Sequence, residues 1–307
     1  MKEALYYRHE GNACRCLLCP YECLIEDGRY GRCRARAASG GRLYAMSYGA
    51  ASALALDPIE KKPLYRFHPG SHILSYGSYG CNMDCAWCQN SSISQRQAPP
   101  DAVHVTPESL VRTAVEIAQE TQQEIGGKYA RDRTAHQPPG NIGVAFTYNE
   151  PLISPELIMD TAPLLRAAGL SVVLVTNAMV NEAPFMNILP HIDAMNIDLK
   201  SFHQGLYERN GGDTRTVMRN IETAAAAGCH IEITTLIIPG ENDTEDGIRA
   251  EAEWLAGIDP GIPLHITRFF PRYRMTGKTP TPARTMERLA AVAKRHLRHV
   301  YLGNIRI

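Results

Sequence analysis

The chain has 307 residues, 32 Lys and Arg against 32 Asp and Glu, and a hydrophobic fraction of 44%. That length carries one large domain, or a domain with an appendage, and enough apolar material for a sizeable core. Zero formal net charge with no basic run argues against a dedicated nucleic-acid binder. No apolar run reaches the roughly 18–20 residues of a membrane span. The segment Met1–Asn12 lacks the apolar centre of a signal peptide, so the chain is expected to be cytoplasmic.

Nine cysteines are the informative part of the composition, and in a reducing compartment clustered thiols point to metal rather than to disulfides. Five lie in the Cys-, Arg- and Gly-rich residues 1–50, which show little hydrophobic periodicity and read as a loop-rich metal-binding module without a core of its own. Within it Cys16, Cys19, Cys23 and Cys33 have the spacing C-x2-C-x3-C-x9-C, a complete four-thiolate set, and Cys14 could replace one member. Such a set suits a structural zinc ion or an auxiliary iron–sulfur cluster, and thiolate spacing alone does not choose between them.

Residues 51–71 read as a turn-containing connector, and from residue 72 to 307 apolar runs alternate with amphipathic stretches. The predicted strands are 72–78, 141–148, 170–177, 193–200, 230–238 and 263–270, with helices near 107–122, 155–168, 182–190, 214–227, 244–256 and 282–297. Thr106-Pro107 and Ser154-Pro155 each offer an N-cap followed by proline at the first helical position. Six βα units imply an α/β fold with a parallel sheet. Three strands place polar residues on one face: Asn196 and Asp198, then Glu232 and Thr234, then His265 and Thr267. A strand buried on both faces would be apolar throughout, so this parity favours a partial (βα)6 TIM-like barrel with a polar lumen over a doubly wound sheet. The polar, turn-rich residues 123–141 read as a surface insertion.

After the first of these strands, Cys81, Cys85 and Cys88 stand in a C-x3-C-x2-C spacing. Three thiolates on one short loop can hold three corners of an iron–sulfur cube and leave the fourth iron open. The bland alternative is a structural zinc that borrows a distant ligand. The segment CNMDCAWCQN (81–90) resembles the cluster loop of radical S-adenosylmethionine (radical SAM) enzymes, and more narrowly that of pyruvate formate-lyase activating enzymes. With DPIEKKPLYRFHPGS (57–71), CLLCPYEC (16–23) and LHITRFFPRYRMT (264–276), nearly the whole chain resembles the radical SAM component of the AmmeMemoRadiSam system.

The resemblance implies a 4Fe-4S cluster on Cys81, Cys85 and Cys88 whose open iron binds S-adenosylmethionine. It also implies one-electron cleavage to a 5′-deoxyadenosyl radical, and an electron donor of flavodoxin or ferredoxin type. FTYNEP (146–151) corresponds to the family's GGE-type motif, making Asn149 and Glu150 candidates to hold the methionyl amino group, although Tyr148-Asn149 replaces Gly-Gly. Thr176 and Asn177 are candidates for the cofactor at the next strand end, and Asp198 and Lys200, in a D-x-K segment, for cofactor or substrate.

His265 is the one candidate on the substrate side, while Glu232 and Lys200 could pair across adjacent strands and Cys229 reads as a small buried residue. The leading expectation is an enzyme acting on a small molecule or a partner protein. A glycyl-radical-enzyme activase is the narrower alternative, and a non-catalytic, metal-supported binding module the alternative from another class. Zero net charge counts against an RNA substrate.

Overall fold

The computed structural model describes residues 1–98, 102–129 and 140–305. Eight strands form one sheet: β1 (Ala53–Pro58), β2 (His72–Gly77), β3 (Asn141–Phe146), β4 (Ser171–Thr176), β5 (Ala194–Asp198), β6 (His230–Ile237), β7 (Leu264–Arg268) and β8 (Val300–Gly303). They lie side by side in sequence order; β1 runs antiparallel to β2, and every other neighbour is parallel. Helices α1 (Pro107–Tyr129), α2 (Pro155–Ala167), α3 (Glu182–Ile188), α4 (Thr214–Ala226), α5 (Glu245–Ile258) and α6 (Ala283–Ala293) supply the crossovers. The result is a partial α/β barrel whose edge strands β1 and β8 are not joined to each other among the described residues.

Strand parity accounts for the interior. Met195, Ile197 and Leu199 of β5 and its carboxyl end, with Leu264 and Ile266 of β7, are wholly buried in the core shared with α5 and α6, where Ile248, Leu255, Met286 and Leu289 are also buried. Each such side chain contributes about 1.5–3 kcal/mol by leaving water. The opposite faces meet one another in the lumen: Thr234 donates to Asn196 at 2.9 Å, and His265 lies 2.6 Å from Glu232. By contrast SVVLVT of β4 is apolar on both faces except at its ends, as befits a central parallel strand.

Several boundaries differ from the sequence reading. The segment 51–71 is more than a connector, since Ala53–Pro58 pairs with β2 over its whole length. Helix α1 runs on through residues 123–129, assigned above to an insertion; residues 130–139 of that insertion lie outside the described residues. Glu120, Gln122, Gln123, Glu124 and Lys128 are good helix formers, and their polarity was mistaken for a break. Thr106 caps α1 by accepting from the Ser109 N–H, whereas Ser154 makes no side-chain cap bond to α2.

Residues 1–50 are built of short antiparallel strands: Lys2–Glu3, Arg42–Ala45 and Arg36–Ser39 in one sheet, and Tyr7–Glu10, Ala13–Cys16 and Leu24–Glu26 in another. Strands of two to four residues are too short to register as periodicity, which is why the region read as loop. Nor is it without apolar support, because Leu18, Ile25 and Leu43 are buried in the same core as the barrel residues. The docking point is the start of α2. Glu156, buried there, accepts from the Leu5 N–H at 2.7 Å and from the Arg36 guanidinium at 2.8 Å.

Candidate active site

The thiols Cys81, Cys85 and Cys88 follow the carboxyl end of β2, on a loop that carries little regular structure and is held from all sides. Asn210 accepts from the Ala86 N–H through its side chain and from the Asp84 N–H through its carbonyl. Arg274 pairs with Asp84 at 2.6 Å, and its backbone N–H donates to Ala86. Gln95 donates to the Met83 carbonyl, and Asn90 to the Tyr148 carbonyl. The loop is therefore fixed before any ligand arrives, as a precise inorganic site requires.

The donor set fits an iron–sulfur cluster. Burial drives the Cys81 thiol well up and the Cys85 thiol up to about 11, with neighbouring thiols adding to each rise. Sulfurs in that state are reactive toward metal only once a cation offsets the lost hydration. N–H groups are already aimed at one of them: Met83 N–H at 3.4 Å and Asn177 Nδ2 at 3.6 Å from Cys81 Sγ. Three thiols on one loop can supply one thiolate to each of three irons of a cluster.

Glu150, Thr176 and Asn177 are brought together at the carboxyl ends of β3 and β4. Glu150, almost fully buried, accepts from the Thr176 hydroxyl at 2.6 Å, the Asn177 N–H at 2.7 Å and the Leu152 N–H at 3.0 Å. Burial raises its carboxyl to about 7 although these three donors pull the other way. Asn149 accepts from the Ser78 N–H and donates to the Tyr79, Gly80 and Glu150 carbonyls. These side chains thus align the strand ends and the cysteine loop. The Glu150 carboxylate expected to meet a methionyl amino group thus already accepts three protein hydrogen bonds, and its two oxygens keep room for a further donor.

The Tyr148-Asn149 replacement of Gly-Gly also finds its account here. Tyr148 has φ 69°, a left-handed conformation normally left to glycine, and Ala178 after β4 has φ 51°. Residues so placed cost about 1–3 kcal/mol each and persist where surroundings over-determine them. For Tyr148 the surroundings are Asp57, which accepts its hydroxyl at 2.6 Å, and Lys62, whose ammonium sits 4.6 Å from its ring centre.

Asp198 and Lys200, beyond the end of β5, form a pair at 2.6 Å. Burial alone would lower the Lys200 pKa, but Asp198 and the nearby Cys85 outweigh it and hold the ammonium charged. Lys200 does not reach Glu232, so the cross-strand pair expected between them is not formed. Glu232 instead accepts from His230, His265 and the Tyr65 and Arg66 N–H groups.

His265 is packed between Tyr65 and Tyr301 and only 2% exposed. Tyr65 belongs to the loop that precedes β2 and covers the amino ends of the strands, where Pro63 also accepts from Asn196, while Tyr301 belongs to β8. The structure therefore gives His265 to the barrel floor rather than to a substrate pocket. Cys229 is at that same end, where it borders a wide groove with His230, Asp259 and His299, away from the thiol loop.

The two cysteine sets touch. The Cys81 N–H donates to the Cys33 carbonyl at 3.1 Å, and Gly80, at φ +82°, lets the chains approach so closely that a Cβ there would lie 2.4 Å from that carbonyl oxygen. Gly80→Ala is expected to destabilise the fold by about 2 kcal/mol or more, through strain and overpacking together. A urea midpoint and the iron content after reconstitution check it, and an unchanged pair of values would show that the contact is dispensable.

The family model for the Radical SAM superfamily matches residues 131–252, and an uncharacterised protein of Methanocaldococcus jannaschii is 35% identical over 312 residues, spanning 99% of this chain and 86% of its own. The chain belongs to the radical SAM superfamily. The benzylsuccinate synthase activating enzyme of Thauera aromatica is 29% identical over 180 residues, 53% of this chain and 54% of that enzyme. A domain of the pyruvate-formate lyase-activating enzyme from Bacteroides vulgatus superposes with a TM-score of 0.46 at 21% identity, over 53% of this chain and 99% of that one. The family match begins beyond residue 88 and so does not include Cys81, Cys85 and Cys88.

Sequence reasoning missed Asn210 and Arg274 as supports of the cysteine loop, and buried Asp57 and Lys62 with half-buried Tyr148 as a linked triad. Asn210 lies in an ordinary Asn-Gly-Gly turn that carries no signal of its task. Arg274 and Asp57 did lie within stretches that carried the resemblance.

Proposed function

We propose that this chain is a radical SAM enzyme of the activating-enzyme type, with Cys81, Cys85 and Cys88 as ligands of a 4Fe-4S cluster. The observation that carries the reading is the three-thiol loop locked against Glu150, Asn177 and Lys200 at the carboxyl ends of successive strands. A cluster with S-adenosylmethionine on its open iron supplies one-electron cleavage of the sulfonium and a 5′-deoxyadenosyl radical for hydrogen abstraction. The chain's own residues fix the loop, align the strand ends and hold a cation beside Cys85, where Lys200 favours negative charge. Asp198 and Lys200 then face cofactor or substrate, while Asn149, Glu150 and Thr176 position.

The reductant in this reading is a ferredoxin- or flavodoxin-type protein in the cytoplasm; among the described residues no helix is long and apolar enough to cross a membrane. The substrate is a small molecule or a partner protein. Partial likeness to an activating enzyme favours a glycyl-radical activase as the second reading. Protein reconstituted anaerobically with iron and sulfide, then given dithionite and S-adenosylmethionine, is expected to form 5′-deoxyadenosine. The Cys81→Ala, Cys85→Ala, Cys88→Ala protein should form none. Equal product from both, or a loaded wild type that neither binds S-adenosylmethionine nor cleaves it, would leave only a metal-supported binding module.

A further inference from the structure

We propose that Cys16, Cys19, Cys23 and Cys33 hold a second iron–sulfur cluster, with the buried guanidinium of Arg36 as its charge partner. The four thiols line one small cavity together with Arg36 and Asn82. The fold gathers them by hairpin geometry. Cys16 closes the strand Ala13–Cys16 and donates its N–H to Cys23, Cys19 opens a turn that ends at Glu22, and Cys33 sits in the turn Gly31–Arg34 that leads into the strand Arg36–Ser39. Cys16, Cys19 and Cys33 are buried and Cys23 is half-buried, and all four are free thiols. Four unlinked cysteines around one cavity serve no packing purpose that alanine or valine would not serve better.

Arg36 is the second, independent observation. It is 1% exposed, and its Nη2 donates to Leu5 and Glu156. Among the described residues its Nε and Nη1 have no partner. An unpaired buried donor costs about 1–3 kcal/mol, more when charged, so a cationic side chain with two idle N–H groups beside four sulfurs calls for an anion. A cluster bound by four thiolates is such an anion, and its sulfurs accept these hydrogen bonds.

A cluster suits the guanidinium better than zinc does. A zinc tetrathiolate offers only its four cysteine sulfurs as acceptors, whereas a cluster adds inorganic sulfides for the two idle N–H groups. The two sets are joined by the Cys81–Cys33 hydrogen bond, and Asn82 of the radical SAM loop borders both.

The inference does not rest on the proposed reaction, because it is read in a chain that lacks the first set of thiols. The full chain with Cys81→Ala, Cys85→Ala and Cys88→Ala, purified and reconstituted without oxygen, is expected to retain about four irons and four sulfides. On reduction with dithionite it should give a cluster electron-paramagnetic-resonance signal. Adding Cys19→Ser and Cys33→Ser should remove both. Stoichiometric zinc without sulfide in that protein as purified, or no metal at all, overturns the proposal. For Arg36, the reduction midpoint of this signal should fall in Arg36→Gln and be largely kept in Arg36→Lys, since losing a positive charge disfavours the reduced cluster. Should Arg36→Gln fold poorly, Arg36→Met with Glu156→Leu removes the buried pair as a unit, and it should show a smaller fall, since a negative charge farther from the sulfurs leaves with the positive one. An unchanged midpoint in a loaded variant removes Arg36 from the assignment.

Discussion

Glu232→Ala is expected to be the most destabilising single substitution in the barrel, costing about 4 kcal/mol. One carboxylate here collects four donors: the His230 and His265 rings and the Tyr65 and Arg66 N–H groups. Removing it leaves those donors unpaired, the buried His265 ring among them, and breaking a buried pair by deleting one partner costs about 3–5 kcal/mol. Burial opposes ionisation, but the donors prevail and bring the Glu232 carboxyl down to about 2. A depressed folded pKa means stability that is present above the ordinary carboxylate range and is lost as pH falls through about 2. Wild-type unfolding should therefore steepen between about pH 4.5 and 2, whereas Glu232→Gln starts lower and loses this acid dependence. Urea titrations at several pH values read both. Equal acid limbs in the two proteins would mean that Glu232 does not bear the charge.

Glu150 should show the opposite sign. Its carboxyl is raised to about 7 by burial, so its contribution to stability is complete below the ordinary carboxylate range and is lost as pH rises through about 7. Glu150→Gln should flatten that alkaline limb. Glu150→Ala strands the Thr176 hydroxyl and the Asn177 and Leu152 N–H groups, at a cost of about 3 kcal/mol. The functional effect should be larger than the structural one, since Asn177 also donates to Asn82 and toward Cys81. S-adenosylmethionine binding by the reconstituted Ala variant is expected to weaken at least about tenfold, the equivalent of ~1.4 kcal/mol, with the Gln variant between. If Glu150 served only to stabilise the fold, binding measured at a pH where both variants are fully folded would not change.

The strands with a polar lumen face were legible because period-two alternation survives in β5, β6 and β7, and because βα alternation is a long-range pattern. Strand β8 was missed: VYLG is four residues with no polar partner face to betray it, and its place follows only from pairing with β7. Strand β1 was obscured because it points Leu54 and Leu56 outward, so its alternation contradicts a buried strand. At the site, spacing sufficed for Cys81, Cys85 and Cys88, whose chemistry lies in the residue type. It could not separate groups that touch a ligand from groups that hold others in place, since that depends on the neighbours that Asn149, Glu150, Thr176, Asp198 and Lys200 meet only in the fold. His265 went astray for the same reason: parity puts it in the lumen but does not say which end.

The covered amino end of the barrel also dictates an order of events in biosynthesis. Tyr65 and Arg66 wait for Glu232, 167 and 166 residues later in the chain, and Tyr65 packs on Tyr301 later still. At about 5–20 residues per second, roughly 8–33 seconds of synthesis separate the two halves of the Glu232 contact alone. Until then the segment that later seals the barrel has a vacant destination, and the strands already made expose an unfinished edge. Such distant closures slow folding and lengthen exposure to aggregation. A nascent chain halted before β6 is therefore a natural client for a chaperone, and a shortened product of this gene should be recovered as insoluble protein rather than as a weakened enzyme.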